Sequence, residues 1–118
     1  MKLMSERKPV SQFFGDAEYT FHLLPDLVIE LERKLGSGIG AIYRRFATSD
    51  FGFADLTEVL RLGLIGGGTL PQDAANLVTT YAARMSVMEL HFAAMPVLDA
   101  LMSGPVQRVA NPRRRKAA

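Results

Sequence analysis

The sequence predicts an α+β fold, mostly α: an N-terminal β-hairpin followed by about five short helices in a compact bundle. Three observations lead there. Two β-prone runs flank Gly15-Asp16, a two-residue connection of the kind that closes hairpins. From Leu24 onward, apolar residues return at three- and four-residue spacing, the period of a helix face. Breaks at Gly36, Gly38, Gly66-Gly67-Gly68 and Gly104-Pro105 cut that pattern into short segments.

The hairpin is predicted from Val10-Ser-Gln-Phe-Phe14 and Ala17-Glu-Tyr-Thr-Phe-His-Leu23. Tyr19, Phe21 and Leu23 fall on one side of the second strand, and Glu18, Thr20 and His22 on the other. Two strands alone are marginal in water, so this pair must lean on the helices or lend an edge to another chain. The first helix spans Pro25 to Leu35, with Leu24, Leu27, Val28, Leu31 and Leu35 on one face. Pro25 suits its first turn and Gly36 the left-handed position at its end, while Glu30 and Lys34 are spaced for an i,i+4 pair. A second short helix covers Ile39 to Phe46, with Ile39, Ile42, Tyr43 and Phe46 inward and Arg44 and Arg45 outward.

A third helix from about Phe53 to Leu64 turns Phe53, Leu56, Val59, Leu60 and Leu64 inward, with Asp55, Glu58 and Arg61 on its polar side. Thr69-Leu-Pro-Gln72 has a capping-box pattern and opens a fourth helix from Leu70 to about Arg84. Ser86-Val-Met-Glu89 repeats the pattern and opens a fifth, to about Ser103, in which Pro96 should produce a kink.

Residues 9–104 therefore read as a single α-rich domain, residues 1–8 as a flexible N-terminus, and residues 105–118 as a disordered basic tail. The formal charge of +2 divides unevenly, with +2 in residues 1–8, +5 in residues 105–118 and −5 between them. An acidic body argues against a nucleic-acid-binding fold, which carries its basic stripe on the structured surface. The run Arg113-Arg-Arg-Lys116 is read first as a solvated end. There is no cysteine, which removes disulfides, thiolate metal sites and cysteine nucleophiles together and is compatible with a reducing cytosol. Residues 1–8 lack the apolar run of a secretory leader. Val87 to Met102, the longest apolar stretch, is too short and too polar to span a bilayer.

Residues able to carry chemistry are sparse. His22 and His91 lie far apart and in no metal-ligand spacing, so neither a metal site nor a catalytic one is expected. Gly36-Ser-Gly-Ile-Gly40 and Gly66-Gly-Gly-Thr69 contain glycines in pairs, but neither follows a strand nor precedes a Lys-Ser or Lys-Thr, so helix-stop chemistry accounts for them and no cofactor is implied. Glu30 and Glu32 point to different faces of their helix and make no acid–base pair.

The fifth helix is more informative. Met88, Met95 and Met102 recur every seven residues, with Met85 a turn earlier and Phe92 between. Val87, Leu90, Ala94, Leu98 and Leu101 form a second apolar side. Two apolar sides exceed what one small core needs from its last helix. Met85, Met88, Phe92, Met95 and Met102 are thus the candidate protein-binding residues, since methionine adapts to irregular partners. A central helix buried all round and a seam between identical copies are the competing readings.

The order of residues from about Gly15 to Thr80 also resembles the tail-protein family of gene transfer agents and related tailed phages, regarded as tail assembly chaperones. The residues that carry the likeness are Tyr19-Thr-Phe-His-Leu23, Leu27-Val-Ile-Glu-Leu-Glu-Arg-Lys-Leu-Gly36, Ile39-Gly-Ala-Ile-Tyr-Arg-Arg-Phe46, Asp55-Leu-Thr-Glu-Val-Leu-Arg-Leu-Gly-Leu-Ile-Gly-Gly-Gly68 and Ala74-Ala-Asn-Leu-Val78. The resemblance implies a non-enzymatic role in tail morphogenesis within the bacterial cytoplasm. Its partners would be the tape-measure protein, which such chaperones coat, and the tail-tube protein, which they bring to it. It also leaves open a structural place in the virion-like particle, because some descriptions of the family name a tail-tube or minor tail component. No catalytic residue comes with the likeness.

Overall fold

The computed structural model describes residues 9–104, and the expectations for residues 1–8 and 105–118 lie outside that span. The chain runs β1 (Val10–Phe14), β2 (Ala17–Phe21), α1 (Pro25–Leu35), α2 (Ile39–Ala47), α3 (Phe53–Gly66), α4 (Pro71–Ala82) and α5 (Val87–Ser103). The expected hairpin and five helices are therefore the architecture observed.

The strands pair antiparallel in the register Val10↔Phe21, Gln12↔Tyr19 and Phe14↔Ala17, closed by Gly15-Asp16 with Gly15 at φ 73°. Residues 10, 12 and 14 share one face with 17, 19 and 21, and that face carries the buried rings Phe14 and Phe21, edge to face at 6.0 Å. Tyr81 of α4 adds a third ring at 6.3 Å from Phe14. Gln12, on the same face, donates from Nε2 to the Ala93 carbonyl of α5 at 2.7 Å, so the hairpin leans on the helices as its size requires.

The most buried helix is α3, not α5. Leu56, Val59, Leu60, Leu62 and Leu64 are all buried, and α1, α4, α5 and β2 pack around it. Over its second half only Arg61, Ile65 and Gly66 keep partial exposure, so the apolar face is wider than the pattern assigned and Leu62 sits inside.

Its C-terminal end is shaped by absent side chains. Gly63, Gly66 and Gly67 are three and four residues apart, hence on one face. β2 lies directly on them. The His22 amide donates to the Gly63 carbonyl at 2.8 Å, and the Gly67 amide closes on the same oxygen at 2.9 Å. A Cβ at Gly66 would overlap the His22 carbonyl, and one at Gly67 the Thr20 carbonyl. At Gly63 a Cβ would stand 3.2 Å from Val97 and 3.3 Å from Phe21. These glycines permit a strand backbone to touch a helix backbone, a stronger requirement than the helix stop they were read as.

Several local expectations are corrected. Glu30 pairs with Arg33 at 2.6 Å, not with Lys34, because the fork of an arginine one turn away meets both carboxylate oxygens. Arg45 does not point outward. Its guanidinium grips Asp55 through Nη2 at 2.8 Å and Nε at 3.3 Å, and Nη1 donates to Ser37 Oγ at 3.1 Å. Asp55 is buried and also accepts from the amide of Gly52, the N-cap residue, at 2.7 Å, so from the first turn of α3 it closes the start of that helix as well as pairing with α2. Phe53, assigned to the apolar face, is 55% exposed because it occupies the first turn, beyond the reach of the core.

At α4 the N-cap is Leu70 without a side-chain cap. Pro71 opens the helix, and the Thr69 amide is used to close α3 onto the Leu64 carbonyl at 2.9 Å. The capping box at Ser86 and Glu89 is present in both directions, at 3.1 and 2.8 Å. α5 runs through Pro96 as one element to Ser103.

The glycine face gives a direct prediction. Gly67→Ala and Gly66→Ala should each lower unfolding stability by about 2 kcal/mol or more, since backbone has to move to admit the methyl group. Gly40→Ala in α2, where a Cβ meets nothing within 4 Å, should instead raise it by roughly 0.5–1 kcal/mol. Urea midpoints of the three variants measure both signs.

Candidate protein-contact surface

On α5 the structure divides the expected apolar surface in two. Leu90, Ala94, Val97 and Leu98 are buried and complete the core against α3. Of the five candidate residues, Met85 and Met95 are half-buried and packed on that core. Met88, Phe92 and Met102 remain open, at 48%, 66% and 41% exposure. Val87, which the sequence placed on the second apolar side with Leu90 and Ala94, is exposed instead because it occupies the first residue of the helix. The exposed part thus runs along one side of α5, with the half-buried Met95 between Phe92 and Met102.

Polar groups border this strip. Asp99 accepts from the Tyr43 hydroxyl at 2.9 Å, which ties α5 to α2 and, with partial burial, raises the Tyr43 hydroxyl above its ordinary range. His91 turns the other way. Its Nε2 meets the Phe46 carbonyl at 2.9 Å and its ring stacks on Phe51, centroids 4.7 Å apart. This is a histidine at the edge of the core, and among the described residues its buried Nδ1 has no hydrogen-bond partner and no carboxylate is bonded to it. His22 is occupied through its backbone on α3. Among the described residues no group of three or more His, Cys, Asp or Glu is placed to hold a metal ion. No helix among them is long and apolar enough to cross a membrane.

The hairpin has one closed edge and one open one. Beside a two-residue turn, Phe14 and Ala17 form a hydrogen-bonded pair, and such pairs alternate along the ladder. The backbone groups of Val10, Gln12 and Phe14 therefore face β2, and those of Ser11 and Phe13 face away. On the β2 side, His22 and Thr20 are covered by the glycine face of α3. On the β1 side, Ser11 and Phe13 have no further backbone partner among the described residues, and Phe13 is 68% exposed. An uncovered edge of this kind accepts another strand.

The surface offers apolar side chains and a strand edge, the chemistry of protein contact. Comparison with known protein families matches residues 7–104 to the family described as phage tail tube protein, GTA-gp10. The chain belongs to this family. It is a phage-like tail protein, of the gene-transfer-agent and tailed-phage kind that the residue order resembles. The family's description names a structural component, and it names neither a chaperone nor a tape-measure partner. No curated protein and no solved structure matches the chain.

The division of α5 is testable without any partner. Met88→Glu and Phe92→Glu should change stability by no more than about 0.5 kcal/mol, as exposed substitutions do. Met95→Glu, which pushes a charge toward the core, should cost about 2 kcal/mol or more. Thermal or urea unfolding of the three variants provides the comparison.

Proposed function

We propose that this tail protein is a structural component of the tail, joined to neighbouring subunits through the open strip of α5 and the free edge of β1. The observation that carries the reading is the uncovered strip Met88, Phe92 and Met102, on a helix whose opposite side already completes the core. Apolar side chains left out of a finished core stabilise a subunit contact when they are covered. The open β1 edge supports it independently, since edge pairing between copies extends a sheet across a homo-oligomer. The family description points the same way. The tail protein is read as non-enzymatic and as needing no cofactor.

A second reading, the assembly chaperone, is favoured by one feature. Two of the three exposed residues of the strip are methionines, whose flexible side chains repack against irregular apolar helices. In that role the clients are the tape-measure protein and the tail-tube protein, and contact takes place in the cytoplasm before the particle is complete.

Quantitative mass spectrometry of purified particles separates the two. As a structural component the chain is present in many copies per particle, and the double variant Met88→Glu, Phe92→Glu, although folded, is lost from particles by tenfold or more. Absence of the wild-type chain from mature particles, together with a tape-measure protein that becomes soluble only when the two are co-expressed, would replace the structural reading by the chaperone.

A further inference from the structure

The open edge of β1 lacks the devices that keep an edge strand single. Val10–Phe14 carries no charge and no proline, and its register with β2 runs through without a bulge. Phe13 stands 68% exposed on it. The other edge of the sheet is closed, because β2 rests on α3 where the His22 amide bonds the Gly63 carbonyl at 2.8 Å. A second copy therefore cannot add its β2 to this β1, and the sheet cannot grow from copy to copy. Among the described residues, the strand edge that a second copy has to offer is its own β1.

The edge is complementary to itself. Ser11 and Phe13 each turn a backbone amide and a carbonyl outward. Laid antiparallel about Gln12, Ser11 of each copy faces Phe13 of the other, and both pairs exchange their hydrogen bonds in full. Sliding the strands by one pleat in one direction sets Phe13 against Pro9, which has no amide hydrogen. Sliding them the other way sets Ser11 against Gly15, in the turn at φ 73°. The central register also balances charge, since it puts sequence position Lys8 beside the exposed Asp16 at both ends of the pairing.

Below the edge, α5 faces the same way. Gln12 bonds the Ala93 carbonyl at 2.7 Å, so β1 lies over α5 as β2 lies on α3. Ala94 is buried on the core side with α3, and Phe92, two residues away, falls on the opposite side of the helix at 66% exposure. The side of α5 turned from α3 and the edge of β1 turned from β2 thus look in one direction. A copy that pairs on the edge reaches both Phe13 and Phe92.

We infer that the β1 edges of two copies pair antiparallel about Gln12, Ser11 against Phe13, and join two hairpins into one continuous sheet across a two-fold axis. The contact is isologous and closes at two copies, so any ring or filament is built from pairs joined through other surfaces. The inference deepens the reading of the β1 edge as a contact between copies and rests on it.

The chain has no cysteine, so introduced thiols report the register. Residues directly opposite in such a pair have Cα atoms about 5.5 Å apart and diagonal neighbours roughly 7–8 Å, while a disulfide needs less than about 7 Å. In an oxidised equal mixture of full-length Ser11→Cys and Phe13→Cys chains, the 11–13 link should exceed the 11–11 and 13–13 links at least fivefold. Phe13→Lys, an exposed substitution that leaves the β1–β2 ladder intact, should weaken the two-copy species at least tenfold in sedimentation. Ser11→Pro, which removes an outward amide, should do the same. An 11–11 or 13–13 link that equals the 11–13 link, a two-copy species indifferent to both substitutions, or a chain that stays monomeric up to about 1 mM would each overturn the pairing. Such a failure beside abundant chain in purified particles leaves the structural reading standing. An 11–13 link in a chain absent from particles upholds the pairing while the structural reading falls.

Discussion

The hydrogen bond from the His22 amide to the Gly63 carbonyl, 2.8 Å long, fixes the distance between a strand and a helix at backbone contact, and much of the domain follows from that distance. Side chains ordinarily hold a sheet and a helix well apart. Here Gly63, Gly66 and Gly67 remove them on the helix side, so the carbonyls of Thr20 and His22 rest where methyl groups would otherwise be. The outer edge of β2 is closed by this contact, and among the described residues the outer edge of β1 stays open. Phe21, held over Gly63, enters the core beside Val97 of α5, which joins hairpin, α3 and α5 at one point. The contact is short because any larger residue prevents it, and it persists because the buried rings of Phe14 and Phe21 gain nothing by leaving.

With the hairpin seated, α3 becomes the axis and the other helices need only one apolar side each. α5 has more than that. Leu90, Ala94, Val97 and Leu98 complete the core, and Met88, Phe92 and Met102 are left facing outward. The ion pair of Arg45 and Asp55 holds α2 to the start of α3, while Tyr43 and Asp99 hold α2 to the last turns of α5. These polar ties orient the helices around the core without covering the open strip. The domain of this tail protein thus leaves an apolar strip and a strand edge exposed among the described residues, the two features on which the proposed subunit contact rests.

Periodicity made most of the elements readable. The hairpin, its two-residue turn, α1, α2 and the Ser86 capping box stand close to their predicted limits because each is set by residues adjacent in sequence. What was not readable depends on residues distant in sequence. Asp55 looked like an exposed acid in a first turn, and nothing local shows that Arg45 reaches it. Gly66 and Gly67 looked like a helix end, and only the approach of β2 reveals what they accommodate. The candidate surface was legible in part. The seven-residue spacing of Met88, Met95 and Met102 marked a side of α5 that is partly exposed, but the spacing could not tell that Met95 sinks toward the core while Phe92 stands open. A cleft between the hairpin turn and α4, with Asp16 on one side and Asp73 on the other, left no signal, because three helices separate its walls in the chain.

Native-state hydrogen exchange at the His22 amide tests the central claim most directly. His22 lies just past the end of β2, where a terminal strand amide ordinarily frays. If the seat on α3 organises the domain, this amide exchanges only through global unfolding, with the same opening free energy as core amides of α3 such as Leu60 and Leu64. Exchange of His22 at a fast, fraying rate while those α3 amides stay protected would show that the hairpin is an appendage, and would contradict the account.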